Sequence, residues 1–144
     1  MKSFVITLDD NVVSEKGAEN LIASSKKFNN DFTIEKFDAI TGSMVYTIMA
    51  GNGLKWKYPW QGKETDLKTG LIKSAYQTEV KENRIACALS HWLLWHKCNT
   101  LNEPILILEH DAIFIHKLDY KSILKSNYDI IGINSPASAT RRAH

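Results

Sequence analysis

The chain has 144 residues, of which 44% are hydrophobic and 24% are charged, with a formal net charge of +2. This length suits one compact domain with its own core and is short for two full domains. The small charge gives no basis for a nucleic-acid-binding face, and no stretch is long or apolar enough to span a membrane. The N-terminal apolar run is also too short for a signal peptide, so we expect a cytoplasmic protein in which peripheral contact with a membrane stays open.

The first third of the sequence predicts a strand, a helix and a second strand. "SFVITL" at residues 3–8 is rich in β-forming residues and is followed by Asp and Asn residues that favour a turn. Apolar residues at helical spacing predict a helix that begins with Ser14 as its N-cap and ends at an Asn-Asn pair. "DFTIEKFDAITG" then predicts a second strand that turns at Gly42. This order is typical of a βαβ unit.

Residues 43–80 show no persistent period and contain several glycines, so we predict a loop with short helical pieces. Trp56, Tyr58 and Trp60 surround a proline in this stretch. Such rings can pack on the face of a sugar, or they can fasten the loop to the domain. The sequence leaves both interpretations open.

The second half of the chain predicts further helices and strands. "NRIACALSHWLLWHKCN" carries a helical apolar stripe with Asn83 as its N-cap. Its two cysteines, Cys87 and Cys98, would lie about 16 Å apart along a helix, too far for a disulfide. After it, "EPILILE" predicts a strand, "DYKSILKSN" a short helix and "YDIIGIN" a fourth strand. We expect residues 1–134 to form the domain and residues 135–144 to form a tail.

Acidic residues follow three of the predicted strands. Asp9 and Asp38 follow the first two, and Glu109, His110 and Asp111 end the strand "ILILE". Ligands of open α/β sheets bind at the carboxyl ends of the strands, where these side chains should gather. A buried strand that ends in carboxylates indicates that a metal or another cation meets them there.

Four further blocks follow one another along the chain, namely "FVITLD", "FDAITG", "IACALSHWLLW" and "ILILEHDA". In this order they resemble the motifs of glycosyltransferase family 25, which includes bacterial lipooligosaccharide and collagen galactosyltransferases. The resemblance implies an α/β fold with a GT-A-like open Rossmann-type sheet and helices on both faces. It also implies a UDP-sugar donor, most often UDP-galactose, and a saccharide acceptor such as lipopolysaccharide.

The resemblance assigns Glu109 and Asp111 to an acid-x-acid motif that holds Mn²⁺ or Mg²⁺ against the donor diphosphate, with Asp111 as a catalytic residue. Carboxylate oxygens suit these ions. Residues two apart in a strand project to the same side, so both carboxylates could face one ion while His110 faces away. The alternative is a strand end whose carboxylates pair with lysines.

The resemblance also implies a set of residues around the nucleotide. They are Thr7, Leu8, Asp9, Asp38, Ala39, Gly42, Ser90 and His91. For His91 the alternative is a helix-face histidine bonded to a neighbouring backbone group. The general base is not assigned, although Asp119 and His116 are candidates.

Three alternative functions each have some support in the sequence. The first is a transferase-like nucleotide-binding protein without turnover of its own. The second is a metal-dependent phosphatase with Asp9 as nucleophile, which lacks the later lysine and Gly-Asp pair that such enzymes need. The third is a zinc site built from histidines 91, 96, 110 and 116, whose spacing matches no familiar ligand pattern.

Overall fold

The computed structural model describes residues 1–75 and 78–133 of the chain. In chain order its elements are β1 (Lys2–Thr7), α1 (Val12–Lys27), β2 (Ile34–Asp38), a 3-10 turn (Gly42–Met44), α2 (Val45–Gly51), β3 (Lys63–Thr65), β4 (Ile72–Ser74), α3 (Lys81–Leu101), β5 (Ile105–Glu109) and α4 (Tyr120–Ile123). The main sheet has three strands in the order β2-β1-β5, and both pairings are parallel. The three predicted strands of the sheet are therefore confirmed.

The central strand β1 is buried on both faces, as its run of apolar residues predicts. Val5 packs with Ala18 and Leu21 of α1 on one face. Phe4 and Ile6 pack with Leu94 of α3 on the other. Helices thus cover both faces of a parallel Rossmann-like sheet in a small single domain, which confirms the predicted fold class.

Helix α1 begins two residues before the predicted cap. Asn11 is the N-cap, and its side chain accepts a hydrogen bond from the backbone N–H of Ser14. The prediction of Ser14 as the cap is therefore wrong. The Ser14 hydroxyl is buried and instead accepts a 2.8 Å hydrogen bond from the backbone N–H of Leu8, just after β1.

Gly17 marks the closest approach between α1 and the end of β5. A Cβ atom at this position would lie 2.6 Å from the carbonyl oxygen of His110. Only a glycine lets the helix backbone pass this close without displacement. The residue that weakens the helix by propensity therefore fits it against the end of the sheet.

The region predicted as loop with helical pieces contains α2 and also an antiparallel hairpin of β3 and β4. The hairpin was not predicted. Trp56 and Trp60 stack with ring centroids 5.5 Å apart and pack on a second core cluster between α2 and α3. Arg84 of α3 lies over both rings. These two rings fasten the loop to the domain, whereas Tyr58 is 43% exposed.

Helix α3 begins at Lys81 after Val80, and Val80 supplies no side-chain cap. The prediction of Asn83 as the N-cap is wrong, because Asn83 lies inside the first turn. The helix ends at Leu101, and its C-cap, Asn102, takes a left-handed conformation with φ of 51°. Cys87 and Cys98 are both free, as predicted.

The segment after β5 differs most from the prediction. The predicted short helix is one turn, α4, with Asp119 as its N-cap. Residues 128–133 form no strand, so the predicted fourth strand is wrong for its described part. Ile131 and Ile133 instead line an open cavity together with Ile105 of β5. The predicted tail, residues 135–144, lies outside the described residues, and the domain boundary stays a prediction.

Among the helices of the described part of the chain, none has the length and apolar content that crossing a membrane requires.

Candidate active site at the carboxyl edge of the sheet

The carboxyl edge of the main sheet brings together the ends of β1, β2 and β5. Thr7 is in register with Asp38, and Ile6 is in register with Glu109. Asp9 and Asp111 follow within two residues of these strand ends. The sheet therefore places the predicted acidic residues along one edge, where α/β proteins bind their ligands.

Glu109 is the last residue of β5, and the chain turns immediately after it. The backbone N–H of Ala112 donates a 3.0 Å hydrogen bond to the carbonyl of Glu109, which closes a tight turn over residues 109–112. The expectation that strand alternation carries both carboxylates to one side is therefore wrong, because Asp111 lies in a turn. Both side chains are exposed, and their role as metal ligands stays a prediction.

Strand alternation does explain where Glu109 points. Ile105 and Ile107 face the α3 side of the sheet, where they pack with Leu94. Glu109 is the next residue of the same parity, so it lies on the α3 face. On α3, His91 precedes Leu94 by three residues and so lies on the same helical face. The two side chains meet at the edge of the sheet.

His91 Nε2 and Glu109 Oε1 are 3.1 Å apart, with side chains that are 28% and 54% exposed. The partner of Glu109 is thus a histidine and not the lysine of the alternative interpretation. The alternative for His91, a bond to a neighbouring backbone group, does not describe this contact, because Nε2 of His91 meets the side chain of Glu109. This contact joins the "SHW" block of α3 to the "LEHDA" block of β5.

The electrostatics of the pair favour its charged form. Hydrogen bonding to Cys87 and then to Glu109 raises the pKa of His91 from 6.5 to about 9, against the opposing effect of burial. The hydrogen bond from His91 lowers the pKa of Glu109, again against burial. At neutral pH the pair is therefore an imidazolium beside a carboxylate.

Cys87 is the third member of this cluster, and the sequence interpretation considered it only for a disulfide. One ligand atom from each of Cys87, His91 and Glu109 lies within 4.8 Å of the other two. Among the described residues this is the only group of three or more potential metal ligands, and Asp111 is not in it. The signal in the sequence is the four-residue spacing of Cys87 and His91, which places them on one helical face.

The end of β1 supplies the next predicted residues. Thr7 is buried, and its hydroxyl donates a 3.4 Å hydrogen bond to the carbonyl of Phe37. Leu8 is partly buried and Asp9 is exposed. Asp10 then takes a left-handed conformation with φ of 54°, which turns the chain towards α1. Of these side chains, that of Asp9 is the most accessible to a ligand at the sheet edge.

Hydrogen bonds to β1 and to α3 fix the residues that follow β2. The N–H of Ala39 donates to the carbonyl of Thr7 at 2.7 Å. The N–H of Ile40 donates to the Ser90 hydroxyl at 2.9 Å. That hydroxyl in turn donates to the carbonyl of Ala86, and Ser90 is 1% exposed. Ser90 therefore positions α3, and with it His91, against the end of β2.

Asp38 and Gly42, two residues predicted to border the nucleotide, flank the hydrogen-bonded residues Ala39 and Ile40 in the chain. Asp38 is exposed at the sheet edge. Gly42 approaches the first turn of α3, where an added Cβ atom would be 3.0 Å from Asn83 Oδ1 and 3.2 Å from Glu82 Cβ. The close approach at Gly42 is thus to a helix of the same chain.

An apolar cavity of about 390 Å³ opens beside His91. Three tryptophans, Trp56, Trp92 and Trp95, contribute to its wall together with His91 itself. Trp56 lies on the loop after α2, and the other two belong to the apolar stripe of α3. The fold brings all three to one cavity next to the carboxylate edge.

Comparison with known proteins agrees with the four sequence blocks. The model of a family described as "Glycosyltransferase family 25 (LPS biosynthesis protein)" matches residues 1–131. Neither the curated proteins nor the solved structures give a significant match. The family match spans every strand of the sheet and all three residues of the cluster at its edge, Cys87, His91 and Glu109. The chain therefore belongs to glycosyltransferase family 25 and is a glycosyltransferase.

Proposed function

We propose that the protein transfers a hexose, with galactose as the first candidate, from a UDP-sugar to a saccharide acceptor such as lipopolysaccharide. The observation that carries this proposal is the carboxyl edge of the sheet, where four acidic residues lie at or within two residues of the ends of three parallel strands: Asp9, Asp38, Glu109 and Asp111. A GT-A type of donor binding accounts for carboxylates in this place. The nucleotide would border the ends of β1 and β2, and the diphosphate would lie towards β5.

Glu109 and Asp111 would hold a divalent ion, and the residues fit a hard cation. Both are carboxylates at exposed positions, which suits Mn²⁺ or Mg²⁺. The contact with His91 is made through Oε1 of Glu109, so the other oxygen is available to a cation. When bound, such an ion neutralises the charge that develops on the leaving diphosphate.

His91 would act on Glu109 rather than on the sugar. The contact between them holds the Glu109 carboxylate in one orientation at the end of β5. The protonated imidazole also adds a positive charge to an edge that is otherwise acidic. Both effects favour a diphosphate beside these carboxylates.

The tryptophan-lined cavity is the place we assign to the acceptor saccharide. Aromatic rings offer the flat apolar faces on which sugar C–H groups pack. His91 lines this cavity and also contacts Glu109, so an acceptor bound there would lie close to the carboxyl edge where the donor would bind. Trp56 would then both fasten its loop and form part of the acceptor wall.

The test is a donor-turnover assay with UDP-galactose and Mn²⁺, combined with calorimetric titration of UDP. Asp111→Asn should reduce metal-dependent turnover by about 100-fold or more while leaving the thermal transition nearly unchanged, because the side chain is exposed. Asp31→Asn is the matched control, since Asp31 is also exposed but precedes β2 at the opposite end of the sheet.

Normal turnover by Asp111→Asn would show that the metal assignment is wrong. Binding of UDP by the wild-type protein without any sugar release would instead support the nucleotide-binding alternative. The same assay with other UDP-hexoses decides whether galactose is the sugar transferred.

A further inference from the structure

The cluster of Cys87, His91 and Glu109 offers sulfur and nitrogen ligand atoms that the proposed transfer does not use. A hard ion at Glu109 and Asp111 needs carboxylate oxygens only. Cys87 is exposed, and it contributes a sulfur atom to a group whose members otherwise offer nitrogen and oxygen. Sulfur and imidazole are softer ligands, which Mn²⁺ and Mg²⁺ do not select.

The three ligand types match those of zinc sites that keep one position open. Zinc in such sites takes three protein ligands from Cys, His and Asp or Glu, and a fourth ligand from solvent or substrate. Tetrahedral bonds of about 2.0–2.3 Å place the ligand atoms about 3.3–3.6 Å from one another. The atoms here lie within 4.8 Å of one another, with His91 Nε2 and Glu109 Oε1 already at 3.1 Å. Rotation of the exposed Cys87 and Glu109 side chains towards the partly buried His91 ring would bring the three atoms onto one ion.

Rigid elements hold all three ligands. Cys87 and His91 lie one turn apart on α3, in the arrangement by which helices present two ligands to one metal. The buried hydroxyl of Ser90, next to His91, fixes the helix to Ile40 after β2. Glu109 ends a strand that pairs in register with β1. Such support lowers the cost of assembling a metal site.

We propose that Cys87, His91 and Glu109 form a zinc-binding site, with one coordination position left open. The site differs from the proposed donor-metal site because it takes a sulfur and a nitrogen ligand and does not include Asp111. It shares Glu109 with that site, so a zinc ion would compete with the donor's divalent ion. This consequence for turnover depends on the proposed function, whereas zinc binding itself does not.

The experiment measures zinc binding by the full chain without any donor. The protein is reduced with a phosphine, freed of metal, and titrated with Zn²⁺ in competition with a chromophoric chelator at pH 7.5. Co²⁺ is then added as a spectroscopic probe, because a thiolate ligand gives a sulfur-to-cobalt charge-transfer band. We expect one tightly bound Zn²⁺ per chain and a Co²⁺ spectrum with that band.

Two ligand variants and two controls make the result specific. Cys87→Ser and His91→Ala should each weaken Zn²⁺ binding by at least about 100-fold, since even second-shell changes cost about 10–100-fold. Cys98→Ser should bind like the wild type, because Cys98 lies at the other end of α3, where it donates to the carbonyl of Glu103. Asp111→Asn should also retain Zn²⁺ binding, which separates this site from the donor-metal site. Far-UV circular dichroism confirms that each variant is folded.

Stoichiometric Zn²⁺ binding that survives Cys87→Ser would overturn the proposal, because the ion would then be held elsewhere. Loss of binding in Cys98→Ser together with an intact Cys87→Ser would overturn it equally. A wild-type protein that binds no Zn²⁺ tightly would do the same and would leave the transferase proposal untouched.

Discussion

Replacement of Gly17 by alanine tests how closely α1 lies against the end of β5. In a helix interior, alanine normally stabilises by about 0.5–1 kcal/mol relative to glycine. Propensity alone therefore predicts a more stable variant. The structure predicts the opposite, because the new Cβ atom would lie 2.6 Å from the His110 carbonyl oxygen and 3.3 Å from its carbon.

The magnitude follows from the distance. Ordinary contact begins at 3.4 Å, so α1 and the backbone of His110 must separate by most of an ångström. The atom met is a backbone carbonyl and not the end of a flexible side chain. Forced displacement of a packed backbone costs about 1–3 kcal/mol. With the gain in propensity subtracted from the middle of this range, we expect Gly17→Ala to lower the free energy of unfolding by about 1 kcal/mol.

Urea unfolding followed by circular dichroism measures this difference. Gly51→Ala is the matched control, since Gly51 is also helical but has no atom within 4 Å of an added Cβ. The control should be neutral or more stable than the wild type. If Gly17→Ala is as stable as the wild type or more stable, the close packing of α1 on the end of β5 is refuted.

Two further predictions concern the contacts that hold α3 at the sheet edge. Ser90→Ala leaves the N–H of Ile40 buried without its acceptor, so it should lower the free energy of unfolding by about 1–3 kcal/mol in urea titration. Ser43→Ala, at an exposed serine, should change it by less than about 0.5 kcal/mol, and equal effects of the two would contradict the role of Ser90. For the His91 and Glu109 pair in metal-free buffer, the raised pKa of His91 gives stabilisation that is complete below pH 6.5 and is lost as the pH rises through about 9. The lowered pKa of Glu109 gives stabilisation present above pH 4.5 and lost as the pH falls below it. Because the pair is partly exposed, the melting temperature of the wild type should exceed that of His91→Gln by the equivalent of about 1 kcal/mol near pH 6, and the difference should vanish near pH 9.5. A difference that grows with pH would contradict the assignment.

The central strand of the main sheet could be predicted from the sequence because it is buried on both faces. "SFVIT" and "ILILE" are short apolar runs, and their length favours strands over helices. The hairpin of β3 and β4 gives no such signal. Its residues are almost all exposed, so their side chains show no periodic apolar pattern.

The predicted fourth strand has a sequence signal but does not form in its described part. "YDIIGIN" has the composition of a strand, but composition does not supply a layer to cover it. Tyr128 is 80% exposed and Ile130 is 72% exposed, so the described part of this segment buries little of its apolar surface. A strand-like composition alone is therefore not enough to predict a strand when nothing in the described part of the chain covers its apolar side chains.

The candidate site was predicted in its location but not in its contacts. The positions of Glu109 and Asp111 follow from the end of an apolar run, whereas the turn between them depends on the hydrogen bond that the N–H of Ala112 donates to the Glu109 carbonyl. The partnership of Glu109 with His91 joins residues from two separate blocks of the sequence. It could be predicted only once α3 was placed antiparallel to β5, against the same face of the sheet.

The central place of β1 affects how the chain is made. Its Phe4 pairs with Glu35 on one side and with Ile107 on the other, a partner roughly 100 residues later in the sequence. A ribosome adds about 5–20 residues per second, so β1 emerges at least several seconds before its second neighbour exists. During that interval one edge of an apolar strand has no partner, and a chaperone that binds nascent chains would find its target there.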